Sequence, residues 1–212
     1  MTALVTCCVG DSITYGRGDA EALGWPGRLA RAEAEHGHDP GLYNLGIRAD
    51  TGTDVSVRWR AECAARLPVG VPAILLFAYG LNDTAEEVGV GIRASMADAV
   101  ASARAILTEA KAWHPTLWIG PTPIDEAKMP LTAFTGVVYD FRNERVADYN
   151  RAYAALADEI GVPYLDLFSP LLGDATWRRE FAAGDGIHPT AATYGMMAQR
   201  IADWAAWRQL LD

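Results

Sequence analysis

Two short stretches at opposite ends of the chain hold residue types that together can perform acyl transfer. Ser12 follows Gly10-Asp11 directly after the apolar run Val5-Thr6-Cys7-Cys8-Val9, and Asp185 stands three residues before His188 in Gly184-Asp185-Gly186-Ile187-His188-Pro189. A serine hydroxyl is a weak nucleophile at its free pKa. It needs a base within hydrogen-bond reach, and that base needs an orienting group. His188 is the candidate base. Asp185 is close enough to accept from the other ring nitrogen and fix the tautomer, with Asp166 as the rival acid. Acyl transfer also needs donors aimed at a developing oxyanion. The Ser12 N–H, the Gly46 N–H and the Asn82 side-chain amide can supply three.

The elements that must position these groups alternate between strand and helix. Val5–Val9 reads as a strand, followed by a glycine-rich loop and a helix from about Trp25 to His36. A short strand at 42–45 ends at Gly46, and a helix over Thr53–Leu67 follows, capped by Thr53 or its neighbour. Ala73–Ala78 is continuously apolar, as suits a strand buried on both faces, and it ends in Tyr79-Gly80-Leu81-Asn82-Asp83. A helix over Ile92–Trp113, a strand at Leu117–Gly120, a helix over Tyr139–Ile160, a strand at Val162–Leu165 and a last helix after Pro189 complete the pattern. Such alternation implies a three-layer α/β/α sandwich, one domain over residues 1–212. Right-handed crossovers favour a five-stranded parallel sheet in flavodoxin-like order 2-1-3-4-5. Ser12, Gly46 and Asn82 then emerge on one edge of the sheet with the segment that follows the fifth strand. The long loop from Pro121 to Val138 borders the same edge.

Composition bounds the partners. The 212 residues carry a formal net charge of −9, which argues against nucleic acid and against an anionic membrane surface. No basic amino-terminal region precedes an apolar run, so no signal peptide is expected, and no stretch is long enough to span a bilayer. Three cysteines are too few and too badly placed for a disulfide framework. Cys7 and Cys8 adjoin in a strand and face opposite sides, so reduced thiols in a cytoplasmic protein are expected. His36 and His38 with Asp39 offer too few ligands for a metal. His114 reads as a helix-end residue, Arg142 and Arg145 as a solvated helix face or a site for an anionic substrate, and Trp204, Trp207 and Leu211 as core, or as a dimer or membrane-touching patch if exposed.

Each motif has a plain alternative: Ser12 and Gly46 as turn residues, Asn82 as a helix cap. Their convergence favours chemistry. Gly10-Asp11-Ser12-Ile13-Thr14-Tyr15-Gly16, Gly46 after Asn44-Leu45, Gly80-Leu81-Asn82-Asp83 and Asp185-Gly186-Ile187-His188-Pro189 resemble, in order, the four blocks of the SGNH (GDSL) hydrolase superfamily. Trp25-Pro26-Gly27-Arg28-Leu29 resembles the family's usual helix start, and Ile13 stands where many members have Leu. The resemblance implies hydrolysis of carboxylic esters without a cofactor or metal. Ser12 would be nucleophile and first oxyanion donor, Gly46 and Asn82 further donors, and Asp185 and His188 the rest of the triad.

The resemblance implies a small-molecule ester as substrate. One modest loop and no lid domain point to short acyl groups, with carbohydrate O-acetyl esters and thioesters next. Leu131, Phe134, Val137 and Val138 are candidates for the acyl wall. The rivals are an acyltransferase using the same serine and a non-catalytic binding module with the same fold. Oligomeric state is not readable from the residues.

Overall fold

The computed structural model describes residues 4–133 and 135–211. In chain order the elements are β1 (Val5–Gly10), α1 (Ser12–Tyr15), α2 (Gly24–Glu35), β2 (Leu42–Gly46), α3 (Gly52–Ala64), β3 (Ala73–Ala78), β4 (Glu86–Glu87), β5 (Gly91–Ile92) and α4 (Met96–Trp113). They continue with β6 (Thr116–Ile119), β7 (Leu131–Thr132), β8 (Val138–Asp140), α5 (Asn143–Ile160), β9 (Tyr164–Leu165), α6 (Phe168–Leu172), α7 (Ala175–Ala183), α8 (Ala191–Ala202) and α9 (Ala205–Leu211).

Five strands form a parallel sheet in the order β2-β1-β3-β6-β9. Counted by appearance in this sheet, that is 2-1-3-4-5, as the strand–helix alternation predicts. The register carries Gly10 beside Gly46 on one side and beside Ala78 on the other. Side chains alternate across the sheet. Cys8, Ile74 and Leu76 enter one apolar layer with Trp25 and Leu29 of α2, Tyr194 and Ile201 of α8 and Trp207 of α9. Cys7, Val9, Leu75 and Phe77 enter the other, with Val55 and Trp59 of α3, Ile106 of α4 and Tyr153 of α5. The adjacent cysteines thus part to opposite faces, both fully buried. Each of Ile74, Leu75, Leu76 and Phe77 contributes roughly 1.5–3 kcal/mol by leaving water.

Several boundaries differ from the sequence expectation. The N-cap of α3 is Thr51, not Thr53: its hydroxyl accepts from Asp54 N, and the Asp54 carboxylate accepts from Thr51 N at 2.9 Å. The helix expected from Ile92 begins at Met96, where Ser95 caps it. The helix expected from Tyr139 begins at Asn143. The displaced residues build a second, antiparallel sheet in the order β5-β4-β8-β7, so the segment 121–138 is not a plain loop. Two further helices, α6 and α7, fill the interval between Asp166 and Gly184. The last helix is two: α9 is fastened to α2 by Trp207 Nε1, which donates to Glu33 Oε1 at 2.8 Å, and by the Arg208–Glu33 ion pair. Trp207 is therefore core, with Trp204 and Leu211 packed partly buried against it. Among the described residues no helix is long and apolar enough to cross a membrane.

Two buried carboxyls join elements at the carboxyl edge of the sheet. Asp11 Oδ1 accepts from Ile13 N at 2.9 Å and so caps α1. Asp83 accepts from Gly52 N through both oxygens, each at 3.0 Å, tying the turn after β3 to the start of α3. Burial pushes Asp11 up to about 7 and Asp83 up to about 6. An acid whose pKa rises on folding binds its proton more tightly in the folded state, so folding is favoured below the unfolded pKa. That advantage is lost as pH rises through the folded pKa.

Two tests follow. Denaturant midpoints measured at about pH 4 and about pH 7.5 should show wild type losing more stability over that rise than Asp11→Asn does. An equal loss in both chains would remove Asp11 from the account. At the end of β2, a Cβ on Gly46 would run into the Tyr15 backbone nitrogen. Gly46→Ala should therefore cost about 1–3 kcal/mol as overpacking, a fall in Tm of several degrees by thermal melt.

Candidate active site

Ser12 stands where β1 gives way to α1, with only 7% of its surface exposed. As the first residue of a helix, its own N–H has no intrahelical acceptor and is left for another partner. Its Oγ lies 3.0 Å from His188 Nε2. His188 Nδ1 lies 2.6 Å from Asp185 Oδ2. A carboxylate can only accept, so Nδ1 carries the proton in this bond and Nε2 is the acceptor that faces the hydroxyl.

The acid is oriented by its own loop: Asp185 Oδ1 accepts from Ile187 N at 3.0 Å and from His188 N at 2.8 Å. Partial burial works against the charge on Asp185. The hydrogen bond and charge of His188, with the two backbone donors, outweigh burial and hold the carboxyl well below the usual carboxylate range. Serine, imidazole and carboxylate, drawn from positions far apart in the chain, thus form one hydrogen-bonded line.

Asn82 begins the turn after β3 and borders the same cleft as Ser12. Its Nδ2 donates to Asp50 O at 3.0 Å and, at a longer 3.3 Å, to Asp11 Oδ2. The second bond is the weaker one and the one that an incoming acceptor can replace.

Gly46 does not fit the place expected for it. Its N–H donates to Asn44 Oδ1 at 3.0 Å, and the residue is not part of the cleft wall. The glycine is needed there because β2 passes the Tyr15 backbone too closely for a side chain. The cleft is lined instead by Ala49, three residues on, in the left-handed region at φ +68°. A non-glycine residue held at positive φ is sparsely populated backbone and concentrates at functional sites.

The cleft encloses about 100 Å³. Its apolar wall includes Leu81, Leu131, Tyr139, Phe141 and Ile187, and Arg17 and Arg48 also line it. Of the residues expected at an acyl wall, Leu131 lines the cleft. Phe134 lies outside the described residues, and Val137 and Val138 are not part of the wall. Asp166 is engaged elsewhere, accepting from Asn150 Nδ2 at 3.1 Å and Ser169 N at 3.0 Å. Arg142 reaches Asp140 Oδ2 at 2.8 Å. Arg145 bonds Thr84 O at 2.5 Å and Asp140 O at 2.8 Å, bracing the turn after β3 rather than facing solvent. His114 ends α4, as expected. Among the described residues no group of three His, Cys, Asp or Glu is placed to hold a metal ion.

Sequence reasoning missed Ala49, Arg17, Arg48, Tyr139 and Phe141. Arg17 and Arg48 carried one usable signal, since both follow strands that end at the carboxyl edge. Tyr139 was assigned to a helix, and Ala49 contributes backbone alone, which no residue type announces.

Comparison with known proteins accords with this architecture. A lipase/acylhydrolase from Enterococcus faecalis superposes with a TM-score of 0.77 over 97% of both chains at 20% identity. A member of the lipolytic protein G-D-S-L family from Veillonella parvula gives 0.70 over 96% of this chain and 98% of its own at 19% identity. An acetylxylan esterase from Geobacillus stearothermophilus gives 0.70 over 97% and 96% at 16% identity. At such identities the likeness speaks for the fold alone. No curated protein matches the chain. The model of the GDSL-like lipase/acylhydrolase family matches residues 8–196, nearly the whole sheet and every residue of the hydrogen-bonded line. The chain belongs to the GDSL-like lipase/acylhydrolase family.

Proposed function

We propose that the protein is a serine hydrolase of short-acyl carboxylic esters, working through an acyl-enzyme on Ser12. The observation that carries this reading is the unbroken line from Asp185 through His188 to Ser12, opening on a cleft. Ser12 Oγ attacks the ester carbonyl while His188 Nε2 takes its proton. Asp185 stabilises the resulting imidazolium without itself being protonated. The Ser12 N–H, the Ala49 N–H and the Asn82 amide act as oxyanion donors, with Ala49 in the role the sequence suggested for Gly46. Collapse of the tetrahedral intermediate breaks the bond to the alcohol oxygen, which receives the proton from His188. Water, deprotonated by the same imidazole, then releases the acid and regenerates Ser12.

Two features favour a small acyl group. The cleft volume falls below the ~300–1,000 Å³ of pockets that take drug-sized ligands. One structural relative is an acetylxylan esterase, which makes an acetyl ester a reasonable first substrate.

Release of p-nitrophenol from acetyl, butyryl and octanoyl p-nitrophenyl esters tests the reading. Turnover should fall with chain length and vanish in Ser12→Ala, whose circular dichroism should match wild type. Full activity in that variant would exclude the acyl-enzyme. In Asn82→Ala, kcat should drop by about a hundred- to a thousandfold. In Asp185→Asn the drop should approach about ten-thousandfold, because the amide no longer enforces the required tautomer.

A further inference from the structure

We propose that Arg17 and Arg48 recognise an anion, so that the ester cleaved here carries a carboxylate or phosphate on its alcohol portion. The proposal rests on the ester-hydrolase reading and names the substrate class of the same site.

Both arginines line the cleft that holds Ser12 and His188, and both spring from backbone fixed to the reacting centre. Arg17 N donates to Ser12 O at 2.9 Å, and Arg17 O accepts from Tyr194 Oη at 2.8 Å. The next residue, Gly18, packs against the root of the His188 side chain: a Cβ there would meet His188 Cβ and the Pro189 carbonyl. Arg17 therefore springs from backbone anchored to Ser12 on one side and packed against His188 on the other. Arg48 stands between Ile47, whose N–H donates to Gly10 O at 3.0 Å, and Ala49 in its left-handed turn.

The acids of the cleft are committed to other partners. Asp185 is held by His188 and by two backbone N–H groups. Asp11 is buried against Ile13 N and Asn82. Arg17 enters no ion pair with a described residue, whereas Arg28, Arg58, Arg104, Arg145 and Arg208 all pair with carboxylates. The chain's net charge is −9, so its average field repels an anionic substrate. Arginine in the cleft wall works against that field locally, and a planar guanidinium fork suits the oxygens of carboxylate and phosphate.

Acetate release from three esters of similar size tests this: 2-acetoxyethyl phosphate, O-acetylglycolate and the neutral 2-methoxyethyl acetate. The readout is the ratio of kcat/KM for each anionic ester to that for the neutral one. Comparing one ratio across variants cancels differences in intrinsic reactivity. The ratio should fall by about tenfold in Arg17→Gln and in Arg48→Gln and by about a hundredfold in the double variant. Lysine at either position should restore part of it, and rising salt up to about 0.5 M should erode it in wild type. The anionic ester whose ratio falls further identifies phosphate or carboxylate as the recognised group. A merely structural role would depress all three esters together and leave the ratio unchanged. If wild type cleaves the neutral ester and the double variant keeps the wild-type ratio, anion recognition is overturned while the hydrolase reading stands. If wild type cleaves none of the three and no p-nitrophenyl ester, the hydrolase reading fails and takes this proposal with it.

Discussion

The carboxyl edge of the sheet is held together by one guanidinium. Arg58, on α3, donates to Gly10 O at 2.8 Å, to Leu45 O at 3.0 Å and to Asp50 Oδ2 at 2.6 Å. Those acceptors are the end of β1, the end of β2 and the turn that carries Ala49. Carbonyls at the carboxyl ends of parallel strands have few ladder donors left, and a buried carbonyl without a donor is costly; Gly10 O, which also receives Ile47 N–H at 3.0 Å, gains a second donor from Arg58. A planar group with five donors can meet several such acceptors at once. Because Asp50 O in turn receives the Asn82 amide, the clamp reaches every element that borders the proposed oxyanion position. Its charge is balanced by Asp50 and by Glu62 at 3.0 Å, so the group stays mostly buried without an unpaired charge.

That scaffold leaves Asn82 in a state suited to the proposed chemistry. One amide hydrogen is fixed on Asp50 O and orients the side chain. The other rests on Asp11 Oδ2 at a distance that makes a poor hydrogen bond. Asp11 is buried and raised to about 7, so its hold on that hydrogen strengthens as it ionises. The oxyanion that would form on the ester carbonyl when Ser12 attacks is a better acceptor than a distant, partly protonated carboxyl. The exchange therefore runs toward the transition state rather than the ground state, which is the condition for lowering a barrier.

The parts of the molecule that were legible in the chain share one property: a side chain with its own chemistry beside a strong local pattern. Ala73–Ala78 announces a doubly buried strand, and Asn82 follows it. Asp185 and His188 are spaced so that a loop can join them, and the fold brings both to Ser12. Gly46 was misjudged because a glycine states only that backbone must pass closely. It does not say whether a substrate or, as here, the Tyr15 backbone is what it passes. Ala49 was invisible because it offers a peptide N–H, which every non-proline residue has. Arg58 carries no signal in the chain, since nothing in a helical pattern says which arginine turns inward to strand ends.

The second sheet was illegible for a different reason, and it bears on specificity. Its strands are two or three residues long, too short for alternation to rise above chance. Their identity comes from pairing, Glu86 with Ile92 and Asp140, and Leu131 with Tyr139, which is information held between segments rather than within them. Leu131 and Tyr139 form one such pair, and both line the cleft. The apolar wall thus takes Leu131 and Tyr139 from a small sheet, while the hydrogen-bonded line takes Ser12 from the end of β1 and Asp185 and His188 from the loop between α7 and α8. On the proposed reading the two can vary separately: a change in β7 or β8 would alter the cleft wall without touching Ser12, His188 or Asp185. A site built this way would let the wall change while the hydrogen-bonded line stays, so the motifs that carry Ser12, Asp185 and His188 would speak for the reaction class and leave the substrate to the wall.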